Sequence, residues 1–391
     1  MSKIDFHHND RPTVGIELEL GLVDAQTLAL TSAYGLVSAR LTAEGHQDAD
    51  ATQYKPELMQ CVLEINTEIC ETIADAERDL TEKLKIVEAT TDALGLRLWW
   101  GATHPFSQWS EQRITPDARY LQLVSLLQEM ARRLVTFGLH IHVGVDSGDK
   151  AVMICDRIMR HLPTLLALSV SSPFWEGRNT GLQSHRSKIM EGLPTAGLPT
   201  LMRNWSEYVW LVNHMIDTGF INTIREIWWD VRPHHNFGTV EVRICDMPGN
   251  LADVLAIASL VQCLVKALSD EIDHGTYQHD SHPMMVQQNK WRATRFGNRA
   301  MLVDTYTYEV ASVQQMVDRL AFMLRPTAME LGCESYLNHC VTMAQGPSAA
   351  QRQLDIRAQS DDPREVVRQL TEAARVSKVK VGGRRPEVGA S

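Results

Sequence analysis

The chain has 391 residues, of which 44% are hydrophobic and 22% charged, an ordinary globular mix that excludes a disordered, collagen-like or coiled-coil protein and suffices for a substantial core. Its 38 Lys and Arg stand against 48 Asp and Glu, a net charge of -10, so no global basic field draws a phosphate backbone and nucleic acid is not an expected partner. Seven cysteines, an odd number with no C-x-x-C pair, suggest neither a disulfide framework nor a zinc knuckle, and a reducing cytoplasm is the expected compartment.

Taken in chain order, the N-terminal MSKIDFHHNDRP lacks the basic-then-apolar layout of a signal peptide. Residues 13–23 alternate strictly as a strand, and 58–66 form a second strand candidate. A long amphipathic helix over 71–94 stops at Gly95, and 96–101 is a third strand. Pro116 and Asp117 open a helix expected to run to 135; residues 137–145 are a fourth strand, and 149–170 are a helix ended by Ser171, Ser172 and Pro173. The Gly- and Pro-rich stretch 177–199 is expected to be a long irregular loop, of the kind that usually carries function. A fifth strand covers 239–245, followed by a helix over 250–273. Its apolar part is interrupted by Asp253, Gln262 and Lys266, which marks a buried helix and no membrane span. Beyond Gly275 only helices are expected, over 284–296, 310–332, 349–358 and 363–377. The expected fold is α+β, a mostly antiparallel sheet with helices packed on one face and the other left open. It is expected as one domain over 1–375, with a strand-rich core near 13–246, a helical part near 250–375 and a flexible tail over 376–391.

Residues i and i+2 of a strand share a face. Glu17 and Glu19 therefore lie opposite Ile16, Leu18 and Leu20; His140 and His142 oppose Leu139, Ile141 and Val143; Glu241 and Arg243 oppose Val240, Val242 and Ile244. A merely solvated face is usually Thr, Lys, Ser and Gln, and neighbouring carboxylates repel unless a cation lies between them. Glu64 interrupts an apolar run, whereas Glu57 is out of phase with it, so either a bulge intervenes or Glu57 precedes the strand. Gathered on one concave face, Glu17, Glu19, Glu57, Glu64, Glu241 and a histidine would offer hard oxygen donors suited to Mg²⁺ or Mn²⁺ and unlike a zinc set. Several divalent ions beside an arginine suit ATP chemistry, and neither a G-x-x-x-x-G-K-S/T loop nor the kinase motif set is present. Arg232, in WWDVRP with Asp230, fits either a phosphate ligand or a structural salt bridge. Arg119 and Tyr120 either reach a nucleotide or cap a loop. His142 reads as a neighbour of the metal or substrate, His104 as a turn former, His234 and His235 as a solvated loop pair, and Cys61 and Cys245 as small core residues.

The ordered set GIELE at 15–19, Glu57 followed by Glu64-Ile-Asn-Thr, GATHPF at 101–106, FGLHIHVG at 137–144, and WDVRP with FGTVEVR ending at Arg243 resembles the bacterial carboxylate–amine ligases of the glutamate–cysteine ligase type 2 family, relatives of glutamine synthetase. The resemblance implies a glutamine-synthetase-like catalytic domain whose antiparallel sheet forms an open funnel. It implies Glu17, Glu19, Glu57, Glu64, His140 and Glu241 as metal ligands, and Arg243 against the transferred phosphate or the acidic substrate; from the residues themselves, Arg232 is the further candidate for the phosphate and Arg119 for the nucleotide. Implied too are Mg²⁺ or Mn²⁺, ATP as co-substrate, an amino acid carboxylate such as glutamate and an amine such as cysteine, joined through an acyl phosphate as in the first step of glutathione biosynthesis. No membrane partner is expected, and a homodimer is compatible with the reading. The alternatives are a metal-dependent amide or amidine hydrolase and a non-catalytic nucleotide-binding relative.

Overall fold

Strict alternation of apolar and ionisable residues makes Val14–Asp24 the spine of a sheet, with Ile16, Leu18 and Leu20 buried on one side and Glu17 and Glu19 on the other. The computed structural model describes residues 4–47, 53–276 and 281–378. Seven strands form one antiparallel sheet: β1 (Val14–Asp24), β2 (Tyr54–Pro56), β3 (Val62–Asn66), β4 (Leu96–Trp99), β5 (Leu139–Gly144), β6 (Val231–His234) and β7 (Thr239–Val242). Their spatial order is β2-β3-β1-β5-β7-β6, and β4 pairs the C-terminal end of β1.

Three long helices cover the apolar face: α1 (Ile73–Ala93), α2 (Gly148–Ile158) and α3 (Leu251–Asp273). Each begins at a side chain that satisfies an otherwise orphaned backbone N–H. Thr72 forms a reciprocal capping box with Asp75, Ser147 accepts from Lys150 N, and Asn250 accepts from Asp253 N. α3 is long and apolar enough to cross a membrane, but it is the central core helix, sandwiched between the sheet and the helices Val313–Glu330 and Glu334–Gln345. Among the described residues, the helices in contact with the sheet are those of the apolar side, and the opposite face borders a cavity. The expected α+β architecture, helices on one face and an open funnel on the other, is the one observed.

Several boundaries differ from expectation for identifiable reasons. The strand expected over 58–66 is confined to β3, because the chain turns at 57–61, and the short strand β2 before that turn was not expected. The helix expected over 117–135 breaks at Gln128, whose φ of 51° is incompatible with a right-handed helix. The last expected strand ends at Val242, since Arg243 N and Ile244 N both turn to Asp230 O at 2.8 and 3.1 Å. The expectation of helices only beyond Gly275 is corrected by a two-stranded ribbon, Met301–Val303 with Val310–Ser312. The helices Tyr34–Ala43 and Trp205–Asp217 were not expected, and the irregular loop over 177–199 contains a short one, His185–Met190. At the C-terminus Val376 N and Ser377 N donate to Glu88 at 2.7 and 3.0 Å, so the first residues of the expected tail are docked on α1; residues 379–391 of that tail lie outside the described residues. All seven cysteines are free and buried.

Candidate functional site

Strand register converts the paired residues into one constellation. β1 sets Glu19 opposite Glu64 and, on its other edge, Glu17 opposite His140. β7 sets Glu241 opposite both His142 and Arg232. All of these line the open face, which forms the wall of a cavity of about 550 Å³ that also takes in Glu57, Arg119, Tyr120, Arg186 and Arg243. The expected residues Glu17, Glu19, Glu57, Glu64, His140, Glu241, Arg243, Arg232 and Arg119 thus all border one space.

Within that space two groups of donors converge, each with its ligand atoms within 4.8 Å of one another: Glu17, His142 and Glu241, and Glu19, Glu57 and Glu64. Glu57 lies in the turn after β2, which settles its phase relative to Glu64: it precedes the strand, and no bulge is needed. Its carbonyl accepts from Thr115 Oγ1 at 2.6 Å and its carboxylate from Leu58 N at 3.1 Å. His140 stands between the groups, with Nδ1 3.1 Å from Glu17 and Nε2 3.9 Å from Glu19. His142, read from sequence as a neighbour of the metal or substrate, is the histidine inside a group. Its Nε2 is 3.3 Å from Glu17 and 3.9 Å from Glu241, and its Nδ1 is 3.0 Å from Thr239 Oγ1.

The electrostatics of the two groups differ. Glu241 is buried, which alone would raise its pKa; the charges of Arg232, Arg243 and His142 outweigh burial and hold it well below the usual carboxylate range. Arg232 donates to Glu241 through Nε at 2.7 Å and Nη2 at 3.5 Å, and through Nη1 to Ile227 O at 2.7 Å. Arg243 donates to the same carboxylate through Nη1. Glu17 is also held well below its ordinary value, hydrogen bonds from His140 and His142 overcoming burial. In the other group burial and the charges of Glu64 and Glu19 push Glu57 well up, and burial with the charge of Glu17 pushes Glu64 up. The cation nearest Glu64 is Lys55, 3.5 Å away, and Asn66 donates to it at 2.8 Å.

Arg119 lies at the rim, its guanidinium 4.6 Å from the centre of the Tyr120 ring. Arg186, which no sequence signal singled out, is 4% exposed and donates to Ile244 O and Arg243 O, each at 3.3 Å. It comes from the loop that composition alone marked as functional. Gly138 makes room for it, because a Cβ there would lie 2.3 Å from Arg186 Nη2. His104, by contrast, is a turn former as expected: buried, with its pKa lowered by burial to about 3 and Nε2 3.0 Å from Leu28 O.

Known proteins match this chain in both sequence and fold. The family described as Glutamate-cysteine ligase family 2 (GCS2) matches residues 13–372. A protein of Gloeobacter violaceus named "Putative glutamate--cysteine ligase 2" is 41% identical over 358 residues, covering 91% of this chain and 95% of the relative. A glutamate–cysteine ligase of Francisella tularensis, solved in complex with AMP, has a TM-score of 0.70 at 11% identity, covering 96% of this chain and 91% of that one. A bifunctional glutathione synthetase of Pasteurella multocida has a TM-score of 0.68 at 14% identity, covering 94% of this chain but 52% of that chain, so this chain spans about half its length. At such identities the two solved structures speak for the fold.

Proposed function

The chain belongs to glutamate–cysteine ligase family 2 and is therefore an ATP-dependent carboxylate–amine ligase, and on that premise we propose that it activates an amino acid carboxylate such as that of glutamate as an acyl phosphate and transfers it to an amine such as that of cysteine. The observation that carries this reading is the pair of donor groups in one cavity, one of them held by two guanidiniums.

The donor sets fit divalent cations. Glu19, Glu57 and Glu64 crowd three carboxylates together with one lysine nearby, an arrangement that repels itself without added positive charge. Their all-oxygen chemistry favours Mg²⁺ or Mn²⁺. Glu17, His142 and Glu241 would hold a second ion. Such ions, if bound there, would neutralise the phosphate oxygens and the charge that develops during transfer.

In the proposed reaction a carboxylate oxygen of the acid substrate attacks the γ-phosphorus, the bond from that phosphorus to the β-bridging oxygen breaks, and ADP leaves. The amine attacks the acyl carbon of the acyl phosphate and loses its proton, and inorganic phosphate departs, leaving an amide. Activation is required because phosphate is a far better leaving group than oxide. Arg232 engages three of its nitrogens with Glu241 and Ile227 and so orients Glu241. Arg243 meets Glu241 through Nη1, and its guanidinium fork has further donors for a phosphoryl oxygen.

The test is a coupled ADP-release assay with Mg²⁺ across pairs of amino acids. ADP formed only when both an acid and an amine are present is the expected result. No ADP from any pair, with amide hydrolysis in the absence of triphosphate, would replace this reading by the hydrolase alternative.

A further inference from the structure

Beside the Glu17, His142 and Glu241 group the chain builds a wall of aromatic rings for which the metal and phosphate chemistry has no use. Phe237 and His234, at the tip of the β6–β7 hairpin, stack with centroids 4.2 Å apart and planes 18° apart. His142 meets both edge-on, at 5.4 Å from His234 and 5.6 Å from Phe237. Phe237 is 52% exposed and lines the main cavity together with His234, Arg232 and Arg225. The same four residues line an adjoining cavity of about 100 Å³.

The tip is held in place. Asn9 Nδ2 donates to Phe237 O at 2.7 Å and Gly238 O at 2.9 Å, and His7 N donates to His235 O at 2.8 Å. Gly238 has φ of 62°, and a Cβ there would lie 2.1 Å from His7 O, so the N-terminal segment clamps the hairpin against its only tolerable residue. A half-exposed phenyl ring, fixed in place beside an ionic site, is an apolar platform preformed for a ligand.

We propose that the Phe237–His234 wall is the stacking platform for the nucleobase of ATP. The inference rests on the ligase reading and adds to it the position of the base. The guanidiniums of Arg232 and Arg243 gather at the Glu241 end, which makes that end the seat of the phosphates, and a base tethered to them through the ribose has to lie within a short reach. Of the other rings on the cavity wall, Tyr120 is buried, donates to Pro56 O at 3.2 Å and has one face covered by Arg119. Trp228, on the loop before β6, is the competitor.

The experiment measures binding by calorimetry of MgADP and of magnesium tripolyphosphate, which carries the phosphates without a base, to the wild type, Phe237→Ala, Phe237→Tyr and Trp228→Ala. Stacking on one aromatic ring predicts that Phe237→Ala weakens MgADP about tenfold while tripolyphosphate stays within about twofold, and that Phe237→Tyr restores MgADP. Because Phe237 is half exposed, Phe237→Ala should melt as the wild type does without ligand; a variant that does not is replaced by Phe237→Leu, for which the same split is expected. Equal weakening of both ligands, no weakening of either, or loss in Trp228→Ala alone overturns the platform and leaves the ligase reading standing. A wild type that binds neither ligand overturns both.

Discussion

At the Glu241 end of the cavity two guanidiniums and His142 surround the carboxylates, and at the Glu57 end three carboxylates crowd together, with Lys55 3.5 Å from Glu64 and His140 Nε2 3.9 Å from Glu19. Both ends are built from glutamates lining the same cavity, Glu57 from the turn before β3. The first nevertheless holds its carboxylates well below their ordinary pKa, while in the second burial and mutual repulsion raise Glu57 and Glu64. At one end the chain itself supplies much of the countercharge; at the other it supplies less, and the proposed cation would complete it. An ion pair inside the protein fixes geometry in advance, whereas a repelling cluster retains free energy that a ligand can recover.

The sharpest way to break the contrast is Glu241→Gln. Removing this charge leaves Arg232 and Arg243 without their shared partner in a buried position, and breaking such a pair costs about 3–5 kcal/mol. Urea denaturation of the metal-free protein should show that loss, and a difference under about 1 kcal/mol would mean that Glu241 does not hold the guanidiniums. Next in size is Arg243→Lys. A point charge cannot reproduce the planar fork, so with a substrate pair in hand kcat should fall about 100-fold, with a smaller change in KM for ATP. If kcat stays within about threefold, roughly 0.6 kcal/mol, Arg243 does not stabilise the transferred phosphoryl group.

The opposite end should respond to metal. Mg²⁺ at about 100 times its dissociation constant should stabilise the wild type by about 2.7 kcal/mol, and EDTA should abolish the gain. Glu57→Gln should remove most of this increment yet leave the metal-free protein at least as stable, because it deletes one of three repelling charges. A variant that is destabilised without metal and still gains fully from Mg²⁺ would place the ion elsewhere.

This asymmetry was only partly legible in the sequence. The i, i+2 pairs at 17 and 19, 140 and 142, and 241 and 243 were, because alternation in a strand is local. Which pair meets which was not, since it depends on register across strands; hence His142 rather than His140 enters a donor group. β6 was hidden because it is four residues long and contains Pro233, which disfavours a strand reading, so Arg232 could not be placed opposite Glu241. Glu57 was ambiguous because β2, the strand that ends just before it, has three residues. Arg186 enters through a loop whose path is set by the buried Asp246, which accepts from Ser172 Oγ at 2.7 Å and Ser184 Oγ at 2.8 Å. Contacts 62 and 74 residues apart have no local signature.

The smallest expected effect sharpens the comparison most finely, because the two ends should titrate with opposite signs. In metal-free protein the raised pKa of Glu57 means that the folded state binds more protons than the unfolded state above the ordinary glutamate range. Its contribution to stability is therefore greatest at low pH and is lost as pH rises from about 4.5 through the raised folded value, each tenfold gain in proton affinity on folding corresponding to about 1.4 kcal/mol. Glu17 and Glu241 behave in reverse: their contribution is present above the ordinary range and vanishes only as pH falls through their lowered values. Glu64, Glu19, Lys55, Arg119 and Tyr120 border the same part of the cavity as Glu57, so the contribution of Glu57 is isolated by subtraction. Urea midpoints of wild type and Glu57→Gln, measured in EDTA between pH 5 and pH 8, should diverge, the wild type losing ground as pH rises. Parallel curves would show that Glu57 titrates as it does in water. Saturating Mg²⁺ should reverse the wild-type slope, because a cation binds the deprotonated carboxylates and gains affinity as their protons leave.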